Sequence, residues 1–583
     1  MTCPSKVLFP RLALLVLWAQ ASRADLFTIN TPGGPVQVDI SHVGPQQSLV
    51  SPSPPESAGF RPPTIFSAPL AHGSGARALG LADAFTAVAD DATAASWNPA
   101  GLTQLERPEA SAVYRFSQIN DRHTSGDNSF AVSKNDYGDD KLNYFSVVYP
   151  LHLGNRNVVV SLNYQEAYDF TQEFSAHTQE QHSDSVGQTE GTDYHKTQID
   201  HIVNTNLDIT VTSLITTHME SQLSQFLDSG LLSDLEFRQQ GTIDALTPAF
   251  AVEINPRFSV GLALNVYGNF MGDPIRSTTT ADYSGDSASY ADIMDTRTTK
   301  ATYEYHGTEF VRSGSYPPFS VPLGSTTGTY PVITSTTETL QERHLNVQGT
   351  YEEEDDLNDL SGINSTLGAL WSVSSHLSLG FTVDLPWTAS ASQVKIIHNK
   401  VTTYDAASGS ILDVEETSST EQKDVELHFP LYWAAGAVWR WTDQLYSTLD
   451  VSQTRWSEFS FKADGEQKLN PLDGSPYGEH PIDDCWSFRY GMEYLLICNS
   501  TEIPLRGGVF EEERPAIGSP DKYYGFTLGT GVSVGKDPGK LILDVAYVYR
   551  QGDNVMGSLV PGQDSLKTDS VEHEVYVSSI WHF

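Results

Sequence analysis

Three charged residues toward the carboxyl terminus have the types and spacing of a binding group: Arg489, Glu493 and Arg506. Alternation of polar and apolar residues puts all three on the polar faces of two neighbouring stretches. If these stretches form a hairpin centred on Asn499-Ser500, Glu493 and Arg506 lie directly opposite each other and form a cross-strand ion pair. Alternatively, Arg489 or Arg506 uses its fork of donors to hold a substrate carboxylate or the amino-terminal segment of the chain.

Signals for catalysis, metal binding and nucleic-acid binding are weak. The 17 histidines are scattered, and the sequence has no H-E-x-x-H, Gly-x-Ser-x-Gly or P-loop motif. The acidic run at 351–362 lacks the fifth ligand of a calcium loop. The net charge of −39, from 73 acids and 34 bases, repels nucleic-acid phosphates. We therefore expect neither an enzyme nor a nucleic-acid-binding protein, and no cofactor and no metal site.

The elements that carry these residues have a two-residue period. In 257–266, 376–387 and 540–550, apolar side chains take every second position, and mostly Gly, Ser, Ala, Thr, Asn or Asp lie between them. Strands of about ten residues with this pattern are typical of a transmembrane β-barrel, with one face toward lipid and the other toward the lumen. A large soluble β-sandwich or β-helix also alternates. Its second face would carry Lys, Glu and Arg, whereas small residues dominate here.

Fourteen such strands are predicted, an even number as in bacterial single-chain barrels. Very short turns alternate with long polar stretches, including outer loops at about 170–242 and 270–362. One apolar candidate, 340–352, is assigned to the second loop because a further strand would make the number odd. The predicted fold is all-β, a transmembrane antiparallel barrel of about 14 strands with long extracellular loops and a small plug. The predicted strands are 110–118, 142–152, 157–169, 243–254, 257–269, 363–373, 376–388, 426–440, 443–458, 485–497, 502–512, 522–535, 540–551 and 572–583.

The two ends of the chain predict export and membrane insertion. Residues 1–24 have the basic start, short apolar core and small-residue cleavage site of a signal peptide. The last strand places Val575, Val577, Trp581 and Phe583 on the lipid face. A terminal aromatic residue on an alternating strand is what barrel-assembly machinery recognises in such proteins. The predicted location is the outer membrane of a Gram-negative bacterium.

An amino-terminal extension and plug are predicted at 25–107, before a barrel at 108–583. Its stretch 73–102 is dominated by Ala and Gly, and LADAFTAVA within it predicts a short, thin helix. Asn98-Pro99 ends any helix. Small side chains let backbone approach backbone, as a segment inside a barrel requires. An alanine-rich surface helix is the alternative.

A second helix is predicted in the first long loop, at 214–232, because its apolar residues fall near helical spacing. Such a helix offers an apolar surface for capturing a substrate, or it covers the barrel mouth or packs on its own loop. The residues are Leu214, Met219, Leu223, Phe226, Leu227 and Leu231.

The stretch GARALGLADAFTAVADDATAASWNPAGL resembles the amino-terminal hatch of the FadL/TodX-type outer-membrane transporters, including their Asn-Pro-Ala element at Asn98, Pro99 and Ala100. Similarity extends to 431–459, 486–496, 503–516 and the terminal strands. The resemblance implies a monomeric, hatch-closed barrel for passive transport of long-chain fatty acids or other hydrophobic compounds. It also implies capture among the outer loops and a sideways exit beside a distorted third strand. The predicted third strand contains no Gly or Pro.

Two other functions stay open at this point. Similar hatch openings occur in barrels associated with protein secretion, so a secretion or surface-attachment factor is one alternative, and a general diffusion porin is another. The expected partners are a hydrophobic small molecule, outer-membrane lipids and lipopolysaccharide, and the barrel-assembly machinery, with no nucleic acid.

Overall fold

The computed structural model describes residues 26–31, 34–39, 70–71, 73–125, 133–153, 156–203, 207–311, 319–329, 332–498, 501–535, 539–555 and 566–583. The predicted signal peptide, most of the extension before 73 and the hairpin centre Asn499-Ser500 lie outside the described residues. The chain divides into two compact units. The first comprises 1–52, 182–228 and 288–344, and the second 53–181, 229–287 and 345–583.

The described residues are predominantly β-strand. A short α-helix, α1 (Ala76–Gly80), and three 3-10 helices, Ala94–Ser96, Pro99–Gln104 and Trp456–Glu458, accompany the strands. No helix among the described residues is long and apolar enough to cross a membrane. The strands are β1 Leu26–Thr31, β2 Gly34–Asp39, β3 Leu70–Ala71, β4 Glu109–Ser125, β5 Ser133–Leu153, β6 Arg156–Asp169, β7 Gln172–Val203, β8 Leu207–Gln240, β9 Thr242–Asn255, β10 Phe258–Gly268, β11 Ile275–Val311, β12 Phe319–Thr329, β13 Ile333–Ser372, β14 Leu377–Asp384, β15 Trp387–Asp405, β16 Ile411–Phe429, β17 Tyr432–Arg440, β18 Leu445–Thr454, β19 Ser460–Ala463, β20 Cys485–Cys498, β21 Thr501–Arg514, β22 Asp521–Val534, β23 Leu541–Val555 and β24 Leu566–His582.

Fourteen strands of the second unit pair antiparallel in a closed ring, which confirms the predicted barrel. Each of the fourteen predicted strands overlaps one strand of the ring, and β24 pairs with β4 to close it. The order around the ring is β4, β5, β6, β9, β10, β13, β14, β17, β18, β20, β21, β22, β23 and β24.

The two faces of the ring follow the two-residue period of the sequence. On β10, Leu262 and Leu264 point outward and are 45% and 39% exposed, whereas the alternating residues Gly261 and Ala263 are buried. On β23, Leu543 and Val545 are exposed and Asp544 is 3% exposed. The barrel therefore presents aliphatic and aromatic side chains outward and keeps small and charged ones inside, as a lipid-embedded barrel requires.

The predicted outer loops are wrong in secondary structure, because most of 170–242 and 270–362 is strand. These residues belong to β7, β8, β11, β12 and β13. The candidate at 340–352 is part of β13, the same chain segment that enters the ring, so the number fourteen is unaffected. Thr and other β-branched residues favour extended backbone, and pairing satisfies its hydrogen-bonding groups without an apolar core.

The predicted helix at 214–232 is also wrong, because these residues lie in β8. Buried and more exposed positions alternate there with a period of two, with Ser213, Ile215 and Thr217 buried and Leu214 48% exposed. Within the first unit, Thr217 Oγ1 lies 3.3 Å from Thr299 Oγ1 on β11. Polar pairing across strands overrides the apolar helical spacing. The six residues Leu214, Met219, Leu223, Phe226, Leu227 and Leu231 therefore do not share one helical face.

Candidate functional site

Residues 73–105 lie against lumen-facing residues of the ring, and we call them the hatch segment. The predicted helix over LADAFTAVA is wrong: α1 ends at Gly80, and 81–89 forms turns with positive φ at Ala82, Asp83 and Ala89. Side chains of the ring, which we call the wall, instead provide hydrogen-bond partners for the backbone of these turns. Thr527 Oγ1 accepts from the Ala82 amide at 3.1 Å. Asp450 Oδ2 likewise accepts from the Thr86 amide at 2.8 Å.

The hatch segment fits because the wall carries glycines where its backbone approaches. A Cβ added to Gly380 would lie 2.2 Å from the Thr86 carbonyl oxygen, and one added to Gly261 would lie 2.3 Å from the Pro99 carbonyl carbon. These contacts give a physical reason for the small residues on the inward face. Other wall glycines in close contact with the segment are Gly368, Gly491, Gly508 and Gly529.

Asn98 fixes the fold of the Asn-Pro-Ala element. Its Oδ1 accepts from the Ala100 amide at 3.1 Å, which caps the 3-10 helix Pro99–Gln104. Its Nδ2 donates to the Thr86 carbonyl at 2.8 Å and to the Ala369 carbonyl on β13 at 3.0 Å. Asn98 is fully buried. One side chain thus ties two turns of the hatch segment to each other and to the wall.

The predicted charge pair lies where the hatch segment meets the wall. Glu493 and Arg506 are direct cross-strand partners, and Arg506 Nε donates to Glu493 Oε2 at 2.6 Å. Arg77 of α1, which the sequence analysis did not single out, donates to Glu493 Oε2 at 3.3 Å and to Asp90 Oδ1 at 2.5 Å. Arg506 also donates to Asp544 at 2.5 Å. Glu493 of the ring thus accepts hydrogen bonds from Arg506 of the ring and from Arg77 of the hatch segment. This shared carboxylate links the hatch segment to the ring.

Arg489 lies apart from this network. It donates to Glu512 Oε2 at 2.9 Å and to Ser452 Oγ at 3.3 Å. Its guanidinium group is thereby directed to the wall, and it belongs to the boundary of a cavity next to the hatch segment.

This cavity has a volume of about 240 Å³ and lies within the second unit. One side, which we call the aromatic wall, consists of Tyr168, Tyr267, Trp387, Phe429 and Trp456. The Tyr267 and Trp387 rings stack with centroids 3.8 Å apart, and Trp387 and Phe429 stack at 4.5 Å. Stacked rings form a flat, rigid apolar surface.

The alternation in 376–387 predicts that Trp387 faces lipid, together with the other apolar residues of this stretch, and this is wrong. Trp387 is only 4% exposed, because β14 ends at Asp384 and a new strand, β15, begins at Trp387. The Leu385-Pro386 step interrupts the alternation, since proline provides no amide hydrogen for a strand ladder. In the same way, β16 ends at Phe429 and β17 begins at Tyr432, although 426–440 is predicted as one strand. Pro430, which follows Phe429, is the feature of the sequence that indicates this break between the two strands.

The other side of the cavity, which we call the charged wall, consists of Arg489, Arg514, Arg550, Glu512 and Glu574. Arg514 donates to both oxygens of Glu572, at 2.6 and 2.9 Å, and to Glu512 at 3.1 Å. Arg550 donates to Glu572 at 2.5 Å. The arginines are therefore engaged by carboxylates of the wall itself.

Asp83 of the hatch segment also borders the cavity. Its Oδ1 is buried and has no hydrogen-bond partner among the described residues. Burial raises the pKa of Asp83 to about 6, against the opposing effect of the positive charges of Arg489 and Arg550. The Asp83 carboxylate at the edge of the cavity is therefore protonated in mildly acidic conditions.

The third strand of the ring, β6, is distorted near its outer end although it contains no Gly or Pro. Its register with β9 shifts between Glu166 and Tyr168. Pairing with β5 runs to Gln165, and Tyr168 and Asp169 pair instead with the two residues of β3. Side-chain charges thus lie where β5 and β6 separate: Arg115 donates to Glu166 and Asp169, both at 2.6 Å.

Three of the predicted insertion residues, Val575, Val577 and Trp581, lie on β24, and Phe583 directly follows the last residue of this strand. Val577, Trp581 and Phe583 are 44%, 53% and 48% exposed, and Val575 is half-buried. The Phe583 amide donates to the Pro108 carbonyl at 3.0 Å, so the last residue adjoins the start of the first strand.

The solved structures that are similar to this chain include the following three. A Pseudomonas aeruginosa FadL homologue is 13% identical with a TM-score of 0.46, and the match covers 89% of this chain and 100% of that chain. The Ralstonia pickettii toluene transporter TbuX is 11% identical with a TM-score of 0.40, covering 88% and 98%. The Pseudomonas putida toluene transporter TodX is 10% identical with a TM-score of 0.37, covering 84% and 94%. A search of curated protein sequences found no match.

The sequence model of the outer membrane protein transport protein (OMPP1/FadL/TodX) family matches residues 68–558. This range covers most of the chain, including the hatch segment and nearly all of the ring. Proteins of this family are transport channels for hydrophobic compounds in the outer membrane of Gram-negative bacteria, and they are not enzymes. The chain belongs to the outer membrane protein transport protein (OMPP1/FadL/TodX) family.

Proposed function

We propose that the chain carries small hydrophobic molecules with an aromatic ring passively across the outer membrane, through the cavity beside the hatch segment. The observation that supports this most directly is the aromatic wall, where the Tyr267, Trp387 and Phe429 rings stack and line the cavity. A flat aromatic surface favours a flat aromatic ligand over a flexible saturated chain, because ring–ring contacts add to the burial of apolar area.

The size and charge of the cavity support an aromatic compound over a long-chain fatty acid. An apolar protein cavity of about 150 Å³ accommodates benzene, so about 240 Å³ suits one substituted ring. The arginines of the charged wall already bind glutamates, including Arg514 with Glu572 and Arg489 with Glu512. A fatty-acid carboxylate would therefore have to compete with the wall for its partners.

The two alternative functions are not supported. The family match concerns transport of hydrophobic compounds and does not extend to secretion or surface attachment. A general diffusion porin needs a continuous polar lumen, whereas the hatch segment contacts strands on several sides of the ring, including β10, β22 and β23. We propose that this segment closes the channel at rest and that Arg77, Glu493 and Asn98 hold it in place.

The remaining partners follow from the exterior of the barrel. We propose that the chain is a monomer embedded in outer-membrane lipid and lipopolysaccharide. The barrel-assembly machinery would recognise the outward residues at the end of the chain, including Trp581 of β24 and Phe583, which follows this strand. Support comes from the exposure of these aromatic side chains on the closing strand.

Equilibrium dialysis of the purified protein in detergent, with labelled toluene and labelled palmitate, tests the proposed substrate class. We expect toluene to bind with one-to-one stoichiometry and more tightly than palmitate. Trp387→Leu should weaken toluene binding on the order of tenfold, because the stacked ring is lost. Trp439→Leu is the matched control, since Trp439 lies on the outer surface of β17 and is 44% exposed. Tight binding of palmitate without binding of toluene would contradict the proposal.

A further inference from the structure

The cavity carries hydrogen-bond acceptors that lack donors. Asp83, Asp384 and Asp450 all border it, and the Oδ1 atom of each is buried without a hydrogen-bond partner among the described residues. Asp450 is only 4% exposed. A buried acceptor without a donor costs free energy, so such atoms in a native cavity usually have a role. The charged wall contrasts with these three acids, because its arginines are engaged by glutamates.

Asp384 is the acceptor nearest in the chain to the aromatic wall. It is the last residue of β14, directly opposite Thr366 of β13 and three positions before Trp387. Two neighbouring polar side chains, Tyr267 and Asn364, have partners of their own, whereas the indole Nε1 of Trp387 is buried without one among the described residues. Tyr267 Oη donates to Asn364 Oδ1 at 3.2 Å, and Asn364 Nδ2 donates to the Leu385 carbonyl at 3.0 Å. Among the described residues, Asp384 Oδ1 is therefore an acceptor without a donor at this edge of the aromatic wall.

We propose that the preferred substrate is an aromatic compound that bears a hydrogen-bond donor, a hydroxyl or amino group, on its ring. This inference rests on the proposed function. The ring packs on the aromatic wall, and the donor group gives its hydrogen to Asp384 Oδ1. A charge-assisted hydrogen bond to a buried carboxylate is stronger than one between neutral groups.

The same arrangement selects against carboxylated compounds. Six acidic side chains border the cavity, and three arginines accompany them. A substrate carboxylate would lie among like charges and could not donate to Asp384. The cavity thus distinguishes three compounds of nearly equal shape: p-cresol, with a donor; toluene, with no polar group; and p-toluate, with a carboxylate.

Equilibrium dialysis with these three compounds tests the inference. At neutral pH we expect the protein to bind p-cresol at least tenfold more tightly than toluene, and toluene more tightly than p-toluate. Asp384→Leu should make p-cresol and toluene bind equally. Asp384→Asn keeps an acceptor and the shape of the side chain, so it should retain part of the preference for p-cresol and bind p-toluate more tightly. Asp443→Asn, in the exposed turn between β17 and β18, should change nothing.

Each outcome has a separate meaning. Equal binding of p-cresol and toluene by the unaltered protein would overturn the inference and leave the proposed function standing. An undiminished preference for p-cresol in both Asp384 variants would overturn the assignment to Asp384. Binding of none of the three compounds would overturn the proposed function and the inference together. Heat-modifiable migration in gel electrophoresis checks that each variant barrel is folded.

Discussion

Removal of the Arg77 charge should release the hatch segment without unfolding the barrel. Arg77→Met keeps the length and apolar stem of the side chain but removes the hydrogen bonds to Asp90 and Glu493. Breaking a fully buried ion pair costs about 3–5 kcal/mol. The Arg77 side chain is 20% exposed, and Glu493 keeps Arg506 at 2.6 Å, so the loss here should be smaller. We expect about 2 kcal/mol, or roughly a 30-fold rise in the population with a released hatch segment.

Ion conductance of the purified protein in planar lipid bilayers measures this population. Arg77→Met should increase the open probability roughly 30-fold, while heat-modifiable migration stays unchanged. Arg455→Met is the matched control, because Arg455 pairs with Glu458 at the surface and is 49% exposed. In a double-mutant cycle, Glu493→Gln should show a coupling of about 1–2 kcal/mol with Arg77→Met. Unchanged conductance in Arg77→Met, or no coupling to Glu493, would refute the proposed anchoring.

Three further changes test the hatch segment by the same conductance assay. Asn98→Ala removes three hydrogen bonds of a fully buried side chain and should raise the open probability at least tenfold; faster amide exchange in 73–105 alone would confirm local release. Gly380→Ala places a Cβ 2.2 Å from the Thr86 oxygen and should also open the channel, whereas Gly507→Ala, whose Cβ meets nothing closer than 3.6 Å, should not. The pKa of Asp83 is raised to about 6 by burial, so docking of the hatch segment binds a proton. The docked state of the hatch segment should therefore become less stable as pH rises from about 4 to about 6, and its stability should then level off. Asp83→Asn should abolish this pH dependence.

The barrel could be predicted from the sequence because its physical requirements repeat along the chain. Every membrane strand needs apolar side chains at alternate positions, and the lumen of this one needs small residues such as Gly261 and Gly380 where the hatch segment approaches. The register of Glu493 with Arg506 followed from the short hairpin between their strands. The long strands β8 and β11, and the part of β13 before residue 363, could not be identified in the same way. Polar and apolar residues are mixed on both faces of β8, and pairing with residues distant in sequence, such as Thr217 with Thr299, stabilises it.

The cavity depended on features that interrupt the pattern. Trp387 and Phe429 turn inward beside prolines at 386 and 430, where alternation no longer reports which face a residue occupies. Arg77 had no periodic signal, since it lies in a five-residue helix, and its partner Glu493 is 416 positions away. The charged wall likewise joins residues from four strands of the ring. Such contacts arise from closure of the ring, and alternation within single strands does not encode them.

Uptake of labelled toluene and labelled palmitate by proteoliposomes that contain the protein is the most direct test of the proposed function. We expect the protein to accelerate entry of toluene far more than entry of palmitate. Trp387→Leu should remove most of this acceleration, whereas Trp439→Leu should preserve it. Selective uptake of palmitate, or uptake of toluene that is unaffected by Trp387→Leu, would contradict the claim that the aromatic wall defines the substrate path.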